Sequence, residues 1–169
     1  MIGAVRIALL LVVASPGALA QGMAPADDKA AVGNARIVDN DILEVGGQRF
    51  HLFGIDAPEQ EQSCFLNGRP WTCGAVAYRE MEKILFEEGA QVVCTLRDAI
   101  DPKRPAARFA TCVINGKDIA DLMVRRGMAA AQPAQSKDYL EAEKAAERAG
   151  IGIWQGPFIP PWEYRERPR

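Results

Sequence analysis

The chain has 169 residues, of which 49% are hydrophobic and 25% are charged, and this composition is typical of one globular domain. It excludes a chain that is disordered throughout, because the apolar residues suffice for a core. The net charge of −2 argues against tight, nonspecific binding of nucleic acid, whose affinity comes from neutralised phosphates, but it does not exclude a local basic groove.

The first 20 residues have the features of a secretory signal peptide. Arg6 precedes an apolar run over residues 7–13, and residues 18–20 form an Ala-Leu-Ala cleavage motif. The run is too short to span a bilayer, although an uncut amino-terminal anchor is the alternative. Cleavage after Ala20 changes the net charge to −3, because Arg6 leaves and no acid does. We therefore expect a periplasmic or secreted protein with no stable membrane association after cleavage.

The rest of the chain divides into short strands and helices separated by turn residues. Residues 21–34 have no periodic apolar pattern and are predicted to form a flexible leader. Ser136 is the predicted N-cap of the last helix, which ends before Gly150. The predicted strands are 35–38, 42–45, 49–55, 91–96 and 109–114, and the predicted helices are 73–88, 118–126 and 136–149.

This order of elements predicts an α+β fold. Five short strands favour a small closed barrel over an open sheet, and the five-stranded oligonucleotide/oligosaccharide-binding (OB-fold) barrel is one such solution. With three α-helices it would form one domain over residues 35–161. The Pro- and Trp-rich segment at the end is expected to be extended, with its aromatic side chains packed on the domain and residues 162–169 as an exposed basic tail.

Four cysteines follow the signal peptide, and an even number in an exported chain favours disulfides over free thiols. The sequence has no C-x-x-C motif and one histidine, so it does not have the pattern of a zinc ribbon or finger. Three pairings are possible. We favour Cys64 with Cys73, which closes a loop, and Cys94 with Cys112, which joins two predicted strands.

Four segments resemble the thermonuclease (staphylococcal nuclease-like) domain family, and they follow the family's order across residues 35–161. They are ARIVDNDILEVGGQRFHLFGIDAPE, WTCGAVAY, RFATCVINGKDIADLMVRRGMA and GIWQG. The Asp-x-Asp turn, the GIDAPE strand end, the R-x-A strand and the GIW motif are each weak alone but specific in succession. The resemblance implies the nuclease form of the OB-fold barrel and hydrolysis of phosphodiester bonds in DNA or RNA.

The resemblance also implies a calcium ion held by hard oxygen ligands. The family's metal-binding acids correspond to Asp41 and Asp56, and the backbone carbonyl of Ala57 would be a further ligand. The family's general base corresponds to Glu59. Composition alone favours a simpler interpretation, in which Asp41 and Asp56 are ordinary turn acids.

Two arginines complete the family's site, and here they are only partly retained. One corresponds to Arg108, which could donate a bidentate pair of hydrogen bonds to phosphate or could be a solvated cation at a strand edge. His51 replaces the other, and a neutral imidazole cannot form the planar fork of a guanidinium. Arg49 shares a strand face with His51 and either contacts the same phosphate or is solvated. If His51 acts as a cation, activity should rise as the pH falls towards about 6.

Two functions of different class follow from these residues. The first is an exported, monomeric, calcium-dependent endonuclease in which Glu59 activates water beside the metal-binding acids. The second is a nuclease-like barrel that has lost catalysis and serves as a nucleic-acid-binding or envelope-associated module. The acidic charge and the missing arginine favour the second function, whereas the retained acids favour the first.

Overall fold

The computed structural model describes residues 30–89, 91–99 and 101–168. The predicted signal peptide and residues 21–29 of the predicted leader lie outside these ranges. Within them, the chain has the α+β fold that the sequence predicts, with a sheet of several strands and four α-helices.

The described elements are named in chain order. The strands are β1 (Ala30–Gly33), β2 (Ala35–Asp39), β3 (Ile42–Val45), β4 (Gln48–Leu52), β5 (Ile55–Asp56), β6 (Cys64–Leu66), β7 (Arg69–Trp71), β8 (Val92–Leu96), β9 (Phe109–Ile114), β10 (Lys117–Asp118) and β11 (Ala130–Ala131). The helices are α1 (Cys73–Glu88), α2 (Ile119–Arg125), α3 (Leu140–Ala149) and α4 (Pro161–Arg165), and a 3-10 helix covers Gly152–Gln155.

The main sheet is closed by a single bent strand. Its order is β1-β8-β9-β4-β3-β2, in which β4 and β9 are parallel and the other neighbours are antiparallel. Only Asn34 separates β1 from β2, so the two ends of this order are consecutive parts of the chain. The bent strand pairs with β8 through β1 and with β3 through β2. This closure produces the five-stranded OB-type barrel.

The barrel interior is filled by alternate residues of its strands. In β4, Phe50 and Leu52 are buried in the core, whereas Arg49 and His51 lie on the other face. Two helices cover the barrel through apolar side chains at helical spacing. The buried side chains of α1 include Ala77, Met81 and Ile84, and those of α2 are Ile119, Ala120, Met123 and Val124. The polar face of β4 is therefore available to a site outside the core.

Two disulfides are present, Cys64–Cys73 and Cys94–Cys112, and these are the two pairs that the sequence favoured. The second joins β8 to β9 at directly opposite positions. Disulfides are typical of proteins in oxidising compartments. No helix in the described ranges is both long and apolar enough to cross a membrane.

Four predicted elements differ from the structure. The strand predicted over residues 49–55 is interrupted by a turn at residues 53–54, which separates β4 from β5. Residues 30–33 were predicted to belong to a flexible leader, but they form β1 because their backbone pairs with β8. α3 begins at Leu140, because the Ser136 side chain accepts a bond from the backbone nitrogen of Asp138 in a preceding turn. The tail was predicted to be extended, but α4 forms there with Pro161 at its first position, where a missing N–H costs nothing.

A close backbone approach at Gly74 fixes the start of α1 against the loop that follows β5. A Cβ atom on Gly74 would lie 1.8 Å from the carbonyl oxygen of Glu59 and 2.7 Å from that of Gln60. The backbone nitrogen of Gly74 also donates to the carbonyl oxygen of Gln62 at 3.1 Å. Only glycine permits this approach without displacement of the loop.

We therefore predict that Gly74→Ala lowers the free energy of unfolding by roughly 2–4 kcal/mol, because the backbone of the loop must move. Urea denaturation of the oxidised protein measures the change. Gly33→Ala is the matched control, since its Cβ would come no closer than 3.5 Å to another atom. This substitution should lower the free energy of unfolding by less than about 1 kcal/mol. Equal stability of the two variants would show that the loop is not fixed by this approach.

Candidate active site

Three carboxylates, Asp41, Asp56 and Glu59, form what we call the acidic site. Asp41 lies in the turn between β2 and β3, Asp56 ends β5, and Glu59 is in the following loop. Asp41 and Asp56 are only 8% and 2% exposed, and the side chain of Glu59 is 17% exposed. Buried carboxylates are rare unless they are paired or bind a cation, so this cluster is the candidate functional site.

The side chain of Asn40 holds the turn of Asp41 in place. Its amide nitrogen donates to the carbonyl oxygens of Pro58 at 2.6 Å and Gly74 at 2.9 Å, and the residue is 1% exposed. The backbone nitrogen of Leu52 donates to the carbonyl oxygen of Asp41 at 2.8 Å. These bonds connect the turn to the end of β4 and to the loop that carries Glu59.

Gln62 fixes the loop of Glu59 and connects it to the end of the chain. Its Oε1 accepts a bond from the backbone nitrogen of Glu59 at 3.2 Å, and its own backbone nitrogen donates to the carbonyl oxygen of Glu59 at 2.8 Å. The Nε2 of this fully buried side chain donates to the carbonyl oxygen of Ile159 at 2.7 Å. The position of Glu59 therefore depends on the segment that precedes α4.

Arg165 of α4 bridges two members of the acidic site. Its Nη1 lies 2.8 Å from Oδ1 of Asp56 and 2.8 Å from Oε1 of Glu59, and its Nη2 lies 2.5 Å from Oδ2 of Asp56. The Arg165 side chain is 27% exposed. One guanidinium thus neutralises charge on both the acid that ends β5 and the candidate general base.

Among the described residues, no arginine or lysine forms a direct ion pair with Asp41. Burial and the neighbouring charge of Asp56 raise the pKa of Asp41 to about 7, although Arg165 and Arg104 act in the opposite direction. Positive charge placed beside the buried Asp41 carboxylate would therefore stabilise its ionised form.

His51 does not act as a cation here, contrary to one hypothesis from the sequence. Burial, and then the positive charges of Arg104 and Arg165, lower the pKa of His51 to about 4. Nη1 of Arg104 lies 3.3 Å from Nδ1 of His51, an arrangement in which a neutral imidazole accepts the bond. The imidazole is therefore neutral at pH 6. Protonation of His51 thus gives no reason for activity to rise as the pH falls towards 6.

Arg104, like Arg165, acts electrostatically on both Asp41 and His51. Its Nε donates to Oδ2 of Asp101 at 2.8 Å, which orients the guanidinium within the loop before β9. Arg108, the arginine expected from the sequence, instead donates to Oε1 of Gln48 and lies 5.3 Å from the ring centroid of Phe50.

Arg49, His51, Arg104 and Arg108 line one cavity of about 500 Å³, which we call the arginine groove. Arg49 forms an ion pair with Glu44 at 3.5 Å, and its side chain is 67% exposed. The Arg49 side chain is therefore mostly solvated, and it lies where it can contact an anion in the groove.

Sequence reasoning missed Arg104 and Arg165. Arg104 precedes Arg108 by four residues in the same RPAAR segment, so the order of residues alone did not decide which arginine points to the acids. Arg165 is separated from Asp56 by 109 residues, and no local pattern connects the tail to the strand end. The contact of Arg104 with His51 and that of Arg165 with Asp56 both depend on the tertiary structure.

The acidic site fits a hard divalent cation by the chemistry of its donors. Asp41 and Asp56 supply buried carboxylate oxygens, and burial together with the charge of Asp56 raises the pKa of Asp41, so a bound cation would stabilise its ionised form. Ala57, whose carbonyl was expected to contribute, follows Asp56 directly and is 3% exposed. In the described residues, no three His, Cys, Asp or Glu side chains are grouped closely enough to hold a metal by themselves, so other oxygen ligands would be required.

We predict that Asp41→Asn stabilises the metal-free protein at pH 8 more than at pH 5. Because the folded-state pKa is raised above the value of 3.8, the native state binds more protons than the unfolded state between about pH 4 and 7. The free energy of unfolding therefore falls across this window as the pH rises. The amide does not ionise, so the difference between the variant and the natural protein should reach roughly 2–4 kcal/mol above pH 7.

Urea denaturation in chelator at both pH values measures this difference. Asp98→Asn, at an exposed position, is the control and should show little change between the two. The same pH dependence for Asp41→Asn and the natural protein would contradict the burial of an ionisable Asp41.

Comparison with known proteins agrees with the fold. Residues 49–156 match the family model of the staphylococcal nuclease homologues, a range that contains Asp56, Glu59 and Arg104 but neither Asp41 nor Arg165. The chain is also 28% identical over 127 residues to the succinoglycan biosynthesis protein ExoI of Rhizobium meliloti strain 1021. That similarity covers 73% of this chain and 64% of ExoI, so the chain spans less than two thirds of this relative. Because the family model covers more than half of its residues, the chain belongs to the family of staphylococcal nuclease homologues.

Proposed function

We propose that the protein is a metal-dependent phosphodiesterase that cleaves DNA or RNA internally. The observation that carries this proposal is the acidic site itself, in which two buried carboxylates and a third, partly exposed one meet beside Arg104. The family of nuclease homologues supports the same reaction class.

Calcium is the proposed cofactor. Asp41 and Asp56 would hold it, with the carbonyl oxygen of Ala57, because calcium prefers several hard oxygen ligands. When bound, the ion would polarise the phosphate and neutralise its developing charge.

The proposed roles of the remaining residues follow from their exposure and contacts. Glu59 is 17% exposed and accepts a proton from water, whose oxygen forms a bond to phosphorus. The bond from phosphorus to the leaving oxygen breaks, and that oxygen takes up a proton from solvent. Arg104 donates to the phosphate oxygens, while Arg108 and Arg49 hold an adjoining phosphate in the arginine groove.

The proposed location is the periplasm or the outside of the cell. The two disulfides support an oxidising compartment, and the amino-terminal sequence supports export. We propose a monomer that is free of the membrane once the signal is removed.

A barrel that binds nucleic acid without cleaving it is the second candidate. Two observations favour it: His51 is neutral, and Arg165 covers both Asp56 and the candidate base. The name of ExoI refers to succinoglycan biosynthesis, which is compatible with a role other than nucleic-acid cleavage.

We predict that residues 21–169, oxidised and supplied with calcium, cleave single-stranded DNA or RNA, and that chelator abolishes the activity. Glu59→Gln should reduce the rate by about 100-fold or more, because no general base remains. Gel analysis of end-labelled substrates measures cleavage and shows whether it is internal.

Glu61→Gln is the matched control, because this exposed acid lies two residues away in the same loop. It should retain nearly all activity. A folded protein that binds oligonucleotides but cleaves none between pH 5 and 10 would instead establish the barrel without catalysis.

We further predict that Arg104→Ala lowers kcat by about 100- to 1000-fold, the usual cost of a lost donor to a charged transition state. Arg108→Ala should lower kcat by less than about tenfold, since its guanidinium is directed to Gln48 and Phe50. Steady-state kinetics at saturating calcium distinguish the two. The reverse order of effects would restore Arg108 as the arginine at the scissile phosphate.

A further inference from the structure

A cavity of about 470 Å³ lies beside the acidic site, and we call it the helix cavity. Residues 101–104, part of the segment 132–135, and α4 with the residue after it contribute to its lining. The cations Lys103, Arg104 and Arg165 share this lining with the acids Asp56, Asp101 and Glu166 and with Trp162. An aromatic ring beside guanidinium groups is the combination that binds a nucleotide, through stacking on the base and donors to the phosphate.

α4 is anchored well enough to place a side chain in this cavity. The segment before it is held by the bond from Gln62 to Ile159 and by a bond from the backbone nitrogen of Phe65 to the carbonyl oxygen of Pro157 at 3.0 Å. Lys103 forms an ion pair with Glu166 just after the helix. Arg165 therefore reaches the acidic site from a helix whose preceding segment is held by these hydrogen bonds.

Arg165 compensates part of the negative charge of the acidic site. Arg104 is paired with Asp101, whereas Arg165 contacts both Asp56 and Glu59 directly. With a divalent ion on Asp41 and Asp56, the site including Arg165 would be neutral overall. Without Arg165 it would be negative, and an anionic phosphodiester would be repelled.

The guanidinium can exchange one anionic partner for another. It has five N–H donors in a rigid fork that fits both carboxylates and phosphates. A cation bound to Asp56 would repel the guanidinium from that carboxylate. The adjoining helix cavity offers the space for a phosphate to accept its hydrogen bonds.

We propose that Arg165 is a further substrate-binding residue, which donates together with Arg104 to a phosphodiester bound in the helix cavity. The proposal rests on the function proposed above for its substrate class, a nucleic acid strand. The carboxy-terminal helix thereby completes a site that the barrel alone leaves negatively charged.

The test is the binding of a fluorescein-labelled octathymidylate in calcium, followed by anisotropy in a Glu59→Gln background that prevents cleavage. Arg165→Ala should weaken binding by at least about tenfold. It should also reduce the slope of log K against log salt concentration by about 0.7, the value for one lost contact to a single-stranded phosphate. Arg165→Lys keeps the charge but loses the fork, and it should bind with intermediate affinity.

Arg167→Ala is the matched control, since it removes the same charge from an exposed position two residues away. It should change the affinity by no more than about twofold, because exposed charges are screened. Equal or tighter binding by Arg165→Ala, or an equal loss in Arg167→Ala, would overturn the proposal. Arg165 would then be a counter-ion of Asp56 and Glu59 only.

Cleavage assays of the same arginine variants with Glu59 intact separate this inference from the proposed function. Binding that depends on Arg165, in a protein that cleaves nothing, would refute the nuclease and retain the phosphate site. Cleavage and binding that are both unaffected by Arg165→Ala would refute the phosphate site and retain the nuclease.

Discussion

The burial of two carboxylates beside each other is the constraint on which the site depends. Asp41 and Asp56 lie at the end of the barrel with little exposure, and together they raise the free energy of the ionised, metal-free state. The fold tolerates this because Asn40 and Gly74 fix the surrounding backbone and because Arg165 neutralises Asp56. A stable fold alone does not need this arrangement, whereas binding of a cation and an anionic substrate does.

The bent strand formed by β1 and β2 connects the fold to this constraint. It closes the barrel, and its second half leads directly into the turn that carries Asp41. On the outer face of β4, His51 contacts Arg104 from the loop before β9. The site is therefore assembled from a turn, a strand end, a loop and a terminal helix, each held by the closed barrel.

Local patterns in the sequence were sufficient for the parts of the structure that depend on neighbouring residues. The alternation in β4 and the helical spacing in α1 predicted both elements, and Asp56 and Glu59 lie near each other because only two residues separate them. β1 was missed because a short Ala-Ala-Val-Gly segment becomes a strand only through pairing with β8. The charge of His51 and the contact of Arg165 could not be predicted, because burial and distant cations determine them.

Calorimetric titration of calcium into the oxidised protein would test whether the buried acids form a cation site. We expect the protein to bind calcium with or without a single-stranded oligonucleotide, and Asp56→Asn to abolish this binding while the fold persists. Calcium binding that is unaffected by Asp56→Asn, or no binding by the natural protein in either condition, would show that these acids do not hold a cation.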